Sequence, residues 1–120
     1  MSKSPLIDLS IELSIQMVKF HEYLTGKKKE YIMSDQLLRS ATSIGANIHE
    51  ANYAVSKADF INKMQIALKE AAETEYWLNI LENTGHITDE YSKLKDLCLS
   101  IKRILISTLK TSKSSVIKST

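Results

Sequence analysis

Apolar side chains recur every three or four residues along most of the chain, in long stretches separated by short polar connections. In the first stretch Leu9, Leu13, Met17, Phe20 and Leu24 keep that spacing, and Ile7, Ile11 and Val18 widen the stripe. A period near 3.6 places such residues on one side of an α-helix. Ser4 is a capping residue, Pro5 suits the first helical position, and Gly26 is a natural stop before Lys27, Lys28 and Lys29. The second stretch opens at Ser34, with Leu37, Ala41, Ile44, Ile48 and Ala51 as its stripe. Gly45 lies beside that stripe and reads either as a place of close helix approach or as a tolerated weakness in the helix.

Ser56, with Asp59 three residues on, resembles a capping box and opens the third stretch. Its apolar face is Phe60, Met64, Ala67, Ala71 and Leu78, flanked by Ile61, Leu68 and Ala72, and Gly85 ends it. Thr88 caps the fourth, which has Asp89 and Glu90 in its first turn and Leu94, Leu97, Cys98, Ile101, Ile104, Leu105 and Leu109 on its apolar side. No strand-like alternation survives. The predicted fold class is all-α: an antiparallel up-down-up-down four-helix bundle over residues 1–110, followed by a flexible basic C-terminal tail over residues 111–120.

The polar positions add a second pattern. Arg39, Ser43, Asn47 and Glu50 share one strip of helix two, away from its apolar stripe. That strip reads either as a solvated face or as a polar seam against a neighbouring helix or subunit. Glu75 stands at the edge of the core face of helix three, and carboxylates in such places are paired when buried. An antiparallel register brings Arg39 within about one turn of Glu75, which predicts an Arg39–Glu75 contact. Ile66 and Trp77 lie to one side of the same core face, with Tyr76 and Ile80 further out. Large apolar side chains outside a core stripe suit the centre of an oligomer interface.

Composition narrows the function. Three Gly and one Pro are too few for the turns of a β-sandwich, and one Cys leaves no intramolecular disulfide and suits a reducing, cytoplasmic setting. No apolar run reaches the length of a membrane span. His21-Glu22 and His49-Glu50 begin like a zinc-protease motif, but Thr25 and Tyr53 stand where the second His belongs. Glu-x-x-His, the di-iron bundle motif, does not occur. Cys98 sits on an apolar face, far from any helix start, and reads as a small buried hydrophobe. The expectation is a protein without catalytic, cofactor or metal-binding residues.

The formal charge of +2 hides an uneven distribution. Residues 1–85 carry nine basic and eleven acidic side chains, and residues 86–120 carry seven basic and three acidic. Lys93, Lys95, Lys102, Arg103 and Lys110, with Lys113 and Lys118, make the last helix and tail basic, and Lys27, Lys28 and Lys29 form a second cluster. These are the candidate nucleic-acid contacts. They also read as a solubilising surface.

The run Gln36-Leu37-Leu38-Arg39-Ser40-Ala41-Thr42-Ser43-Ile44-Gly45-Ala46-Asn47-Ile48-His49-Glu50-Ala51 resembles a family signature, Gln-Leu-Arg-Arg-Ala-Ala-x-Ser-Ile-x-Ala-Asn-Ile-x-Glu-Gly. It belongs to small bacterial four-helix-bundle proteins first noted as products of intervening sequences in large-subunit ribosomal RNA genes. Ser56, Asp59, Phe60, Ile61, Ile66, Ala67, Glu73, Glu75, Leu78, Gly85 and Ile87 match its third helix, and the resemblance covers residues 9–109. Leu38 replaces the first Arg of the usual pair, Gly45 a frequent Pro, and Ala51 the usual Gly. The resemblance implies ring-shaped homopentamers. Some relatives are accessory proteins of diversity-generating retroelements, which bind a reverse transcriptase and nucleic acid through a basic ring surface. The combined expectation is a non-enzymatic homo-oligomeric scaffold for a macromolecular partner, RNA or DNA first, with no membrane. The alternative is a protein-binding or structural bundle with no nucleic-acid role.

Overall fold

A computed structural model describes the backbone of residues 4–119 and the side chains of residues 4–115. Four helices follow in order: α1 (Pro5–Gly26), α2 (Ile32–Ala51), α3 (Lys57–Asn83) and α4 (Leu94–Ser119). Each packs on its sequence neighbour and α1 closes on α4, so the four form an up-down-up-down ring around one core. Phe20, Leu13, Met17, Leu24, Ile44, Leu78, Leu81, Leu94, Ile101 and Leu105 fill that core with almost no exposure. Thr74 and Leu81 complete the buried stripe of α3.

The helix ends follow from local hydrogen bonding. Ser4 Oγ accepts from Ile7 N–H at 3.3 Å with Pro5 in the first turn, as the sequence predicts. At α3, Ser56 Oγ accepts from Asp59 N–H at 3.0 Å, while the Asp59 carboxylate reaches back to Val55 N–H at 3.2 Å. Gly85 ends α3 with φ +78°, and His86 N–H closes the turn on the Leu81 carbonyl at 2.9 Å.

Several expectations change. α2 starts at Ile32 rather than Ser34, because Glu30 caps it: its carboxylate accepts from the N–H groups of Ile32, Met33 and Ser34 at 3.2, 3.1 and 2.7 Å. The left-handed residue of the α1–α2 turn is Lys29, with φ 57°. Thr88 does not cap α4. It precedes a single 3-10 turn, Asp89–Tyr91, and its side chain makes no cap bond. That turn presses Tyr91 onto Phe20 and Tyr23, with ring centroids 4.7 and 5.4 Å apart, and α4 begins after it. Ile11 and Val18 are exposed rather than core. They lie about 120° around α1 from the Leu6–Leu13–Met17 side. Helix α4 runs past Lys110 to Ser119, where composition suggested a frayed tail. Buried Leu109 and Ser112 hold the next turns, and adding residues to a packed helix is cheap once it is nucleated. The side chain of Lys118 lies outside the described residues.

Candidate functional site

The polar strip of α2 meets α3 in a seam. Arg39 forms ion pairs with Glu73 and, at 3.3 Å, with Glu70, while its Nε donates to Gln36 at 3.3 Å. Trp77 Nε1 donates to the same Glu73 carboxylate at 3.1 Å. These two bonds, Arg39 first, hold the Glu73 carboxyl below the usual range, and Glu73 in turn raises Arg39 above its usual value. Further along, Asn47 Nδ2 donates to the Ser43 carbonyl at 2.8 Å, and Glu50 accepts from Lys63 at 2.9 Å. Beneath the seam, Thr74 Oγ1 donates to Ser40 Oγ at 2.9 Å and Ser40 Oγ to the Leu37 carbonyl at 3.2 Å, both fully buried.

The Arg39–Glu75 contact is not formed. Glu75 instead accepts from Lys102 of α4 at 2.9 Å. Two positions turn a helix by about 200°, so Glu70 and Glu73 face α2 while Glu75 faces α4. The spacing of three between Glu70 and Glu73 was a signal for this pair, and sequence reasoning missed it. It missed Glu30, Ser40 and Thr74 as well.

The candidate interface residues divide. Ile66 and Trp77 flank the carboxylates of the seam, so the polar strip and this half of the interface patch are one face of the molecule. Ile66, Trp77 and Ile80 are half-buried, and Tyr76 is exposed with its ring edge-on to Trp77 at 5.1 Å. The basic residues do not converge on one surface. Lys95 and Lys102 are held by Glu82 (3.7 Å) and Glu75. Lys27, Lys28, Lys29 and Lys93 are exposed at the end of the bundle where α1 stops and α4 starts. Arg103 and Lys110 are exposed along α4.

A family model described as 23S rRNA-intervening sequence protein matches residues 3–107. The chain belongs to the 23S rRNA-intervening sequence protein family. A crystal structure from Bacteroides thetaiotaomicron, described as a protein with unknown function from the S23 ribosomal protein family, is similar to it. The two share 50% identity over 88% of this chain and 95% of that one, with a TM-score of 0.84. No curated protein matches.

Among the described residues every ionisable side chain but the buried Cys98 thiol is at least partly exposed. Among the described residues no group of three His, Cys, Asp or Glu is placed to hold a metal, and no helix is long and apolar enough to cross a membrane. His21 pairs with Asp35 at 2.7 Å, His49 packs on Tyr53, and His86 bonds to Thr84 at 2.8 Å. An apolar cavity of about 410 Å³ at the end opposite the lysines is bounded by Leu6, Ile48, Phe60, Met64 and Ile104, with no ionisable side chain in its lining. Burial pushes the Cys98 thiol up to about 12, with Glu75 adding to the rise. A thiol in that state is not a nucleophile near neutral pH.

Proposed function

We propose that the protein is a non-enzymatic scaffold that self-associates and binds a macromolecular partner, with RNA or DNA first, through its lysine-bearing end. The observation that carries this reading is the split among the cations. Lys95 and Lys102 are neutralised by α3 carboxylates, whereas Lys27, Lys28, Lys29 and Lys93 stand exposed at one end and form no ion pair among the described residues. Four cations in one copy make a weak phosphate site, because non-specific affinity grows with the number of phosphates neutralised together. Copies assembled side by side with their ends level multiply that number.

Binding to mixed RNA across a salt series tests the reading. We expect binding at about 50 mM salt, with log K falling by about 0.7 per phosphate contacted for each decade of salt. A Lys27→Gln, Lys28→Gln, Lys29→Gln variant should flatten that slope. Absence of binding at about 50 mM salt would remove nucleic acid as the partner and leave the protein-binding bundle.

A further inference from the structure

The apolar cavity at the end opposite the lysines takes no part in the binding of nucleic acid proposed above. All four helices wall it: Leu6 from α1, Ile48 from α2, Phe60 and Met64 from α3, and Ile104 from α4. The last core position of α2 is the small side chain of Ala51, which leaves this layer of the bundle underfilled. Protein cores are packed about as densely as organic crystals, with few voids larger than a water molecule. A space of about 410 Å³ is far outside that range.

The lining selects the occupant. No ionisable side chain borders the cavity, so a charged group entering it would lose its water with no opposite charge to replace it. Water is itself a poor occupant of the interior, because it needs about two to four polar partners and the walls named above are aliphatic or aromatic. Two uncharged polar side chains also border the space. Asn52, just past α2, is exposed and Thr108 of α4 is half-buried, and neither side chain makes a hydrogen bond among the described residues. Each can donate and accept. An apolar cavity of about 150 Å³ holds one benzene, so by volume this one holds at most about 16 non-hydrogen atoms.

We propose that this cavity binds an uncharged medium-chain aliphatic molecule bearing one hydroxyl or carbonyl group, about ten to twelve non-hydrogen atoms in all. Its chain lies among Leu6, Ile48, Met64 and Ile104, and its polar group meets Asn52 and Thr108. Burial of the chain supplies the affinity, and the two polar side chains fix which end enters first. The site stands apart from the nucleic-acid reading, because Lys27, Lys28, Lys29 and Lys93 lie at the other end of the helices.

The probes are 1-hexanol, 1-octanol, 1-decanol and decanoate, titrated into the full chain by calorimetry and followed through the methionine methyl resonances. Each added methylene should tighten binding about threefold to fourfold up to 1-decanol. Decanoate should bind at least about tenfold more weakly than 1-decanol. The Met64 methyl should shift and saturate, while that of Met33, at the far end of α2, should stay in place. Thr108→Trp puts an indole into the space and should weaken 1-decanol at least about tenfold, with a circular dichroism melt to show that it folds. Asn52→Ala, at an exposed position, is the second variant and should weaken 1-decanol about threefold or more. Equal binding of 1-decanol and decanoate, no saturable shift at Met64, or full affinity in both variants would overturn the site. So would an affinity that falls as protein concentration rises, which would give the cavity to a contact between copies.

Discussion

Replacing Arg39 by Ala tests the seam that ties α2 to α3. The side chain is about half exposed, so each ion pair contributes only about 0.2–1 kcal/mol. Glu70 and Glu73 are more sheltered than Arg39, and its loss leaves two carboxylates three positions apart with no cation between them. That repulsion adds about 0.2–0.5 kcal/mol, and Trp77 still donates to Glu73 and limits the damage. Arg39→Ala should therefore cost about 1–2 kcal/mol. With a urea slope of about 1.5 kcal/mol per molar, the midpoint should fall by about 0.7–1.3 M. The assay is urea unfolding at one fixed protein concentration, because association contributes to stability. A double-mutant cycle makes it specific. Arg39 and Glu73 should couple by about 0.5–1 kcal/mol, and Arg39 and Glu75 by less than about 0.3 kcal/mol. Stronger coupling to Glu75 than to Glu73 would refute the seam as described.

Three further outcomes are expected. Glu73 is held below the usual carboxylate range, so its stabilisation is complete above the unfolded-state pKa of about 4.3 and is lost as pH falls through the lower folded value. The urea midpoint should drop more steeply between about pH 5 and pH 3 in the unaltered protein than in Glu73→Gln, and matching profiles would contradict the assignment. Cys98, with its thiol near 12 and its Sγ 3.6 Å from the Ala71 carbonyl, should resist an aromatic disulfide reagent at about pH 8 until the urea transition. Rapid reaction in the folded protein would show that this part of the core opens locally. A Cβ at Gly45 would meet Ser14 Oγ at 3.3 Å and the Ser10 carbonyl oxygen at 3.6 Å. Gly45→Leu should thus cost more than about 2 kcal/mol despite better helix propensity, and an unchanged midpoint would remove the close approach of α1 and α2.

The bundle was legible because burial repeats with the helix period, and the stripes of Leu13, Met17 and Phe20 or Leu37, Ile44 and Ile48 admit no other element. The differences lie where a single side chain competes with that average. Glu30 is two positions outside α2, yet its long carboxylate reaches three N–H groups and shifts the start of the helix. Thr74 looks polar in a list of residues but satisfies its hydroxyl inside the core, on Ser40 and the Glu70 carbonyl. Ile11 and Val18 have the right chemistry for a core and the wrong angle. Pairing across helices was the least legible feature. Periodicity gave Arg39 a side but not a register, and a shift of two residues exchanged Glu75 for Glu73. The basic residues of α4 could be counted from the chain. Only the fold separates Lys95 and Lys102, held in bridges, from Arg103 and Lys110, which are exposed and form no ion pair among the described residues.

The central claim is that this end of the bundle binds nucleic acid only because copies stand side by side. RNA affinity across a salt series, measured for the unaltered chain at concentrations where it is monomeric and where it is assembled, tests it most directly. Lys27, Lys28, Lys29 and Lys93 are the same in both. Assembled copies should bind strongly with steep salt dependence, and single copies at least about tenfold more weakly with a shallower slope. Equal affinity and equal slope for the two would contradict it.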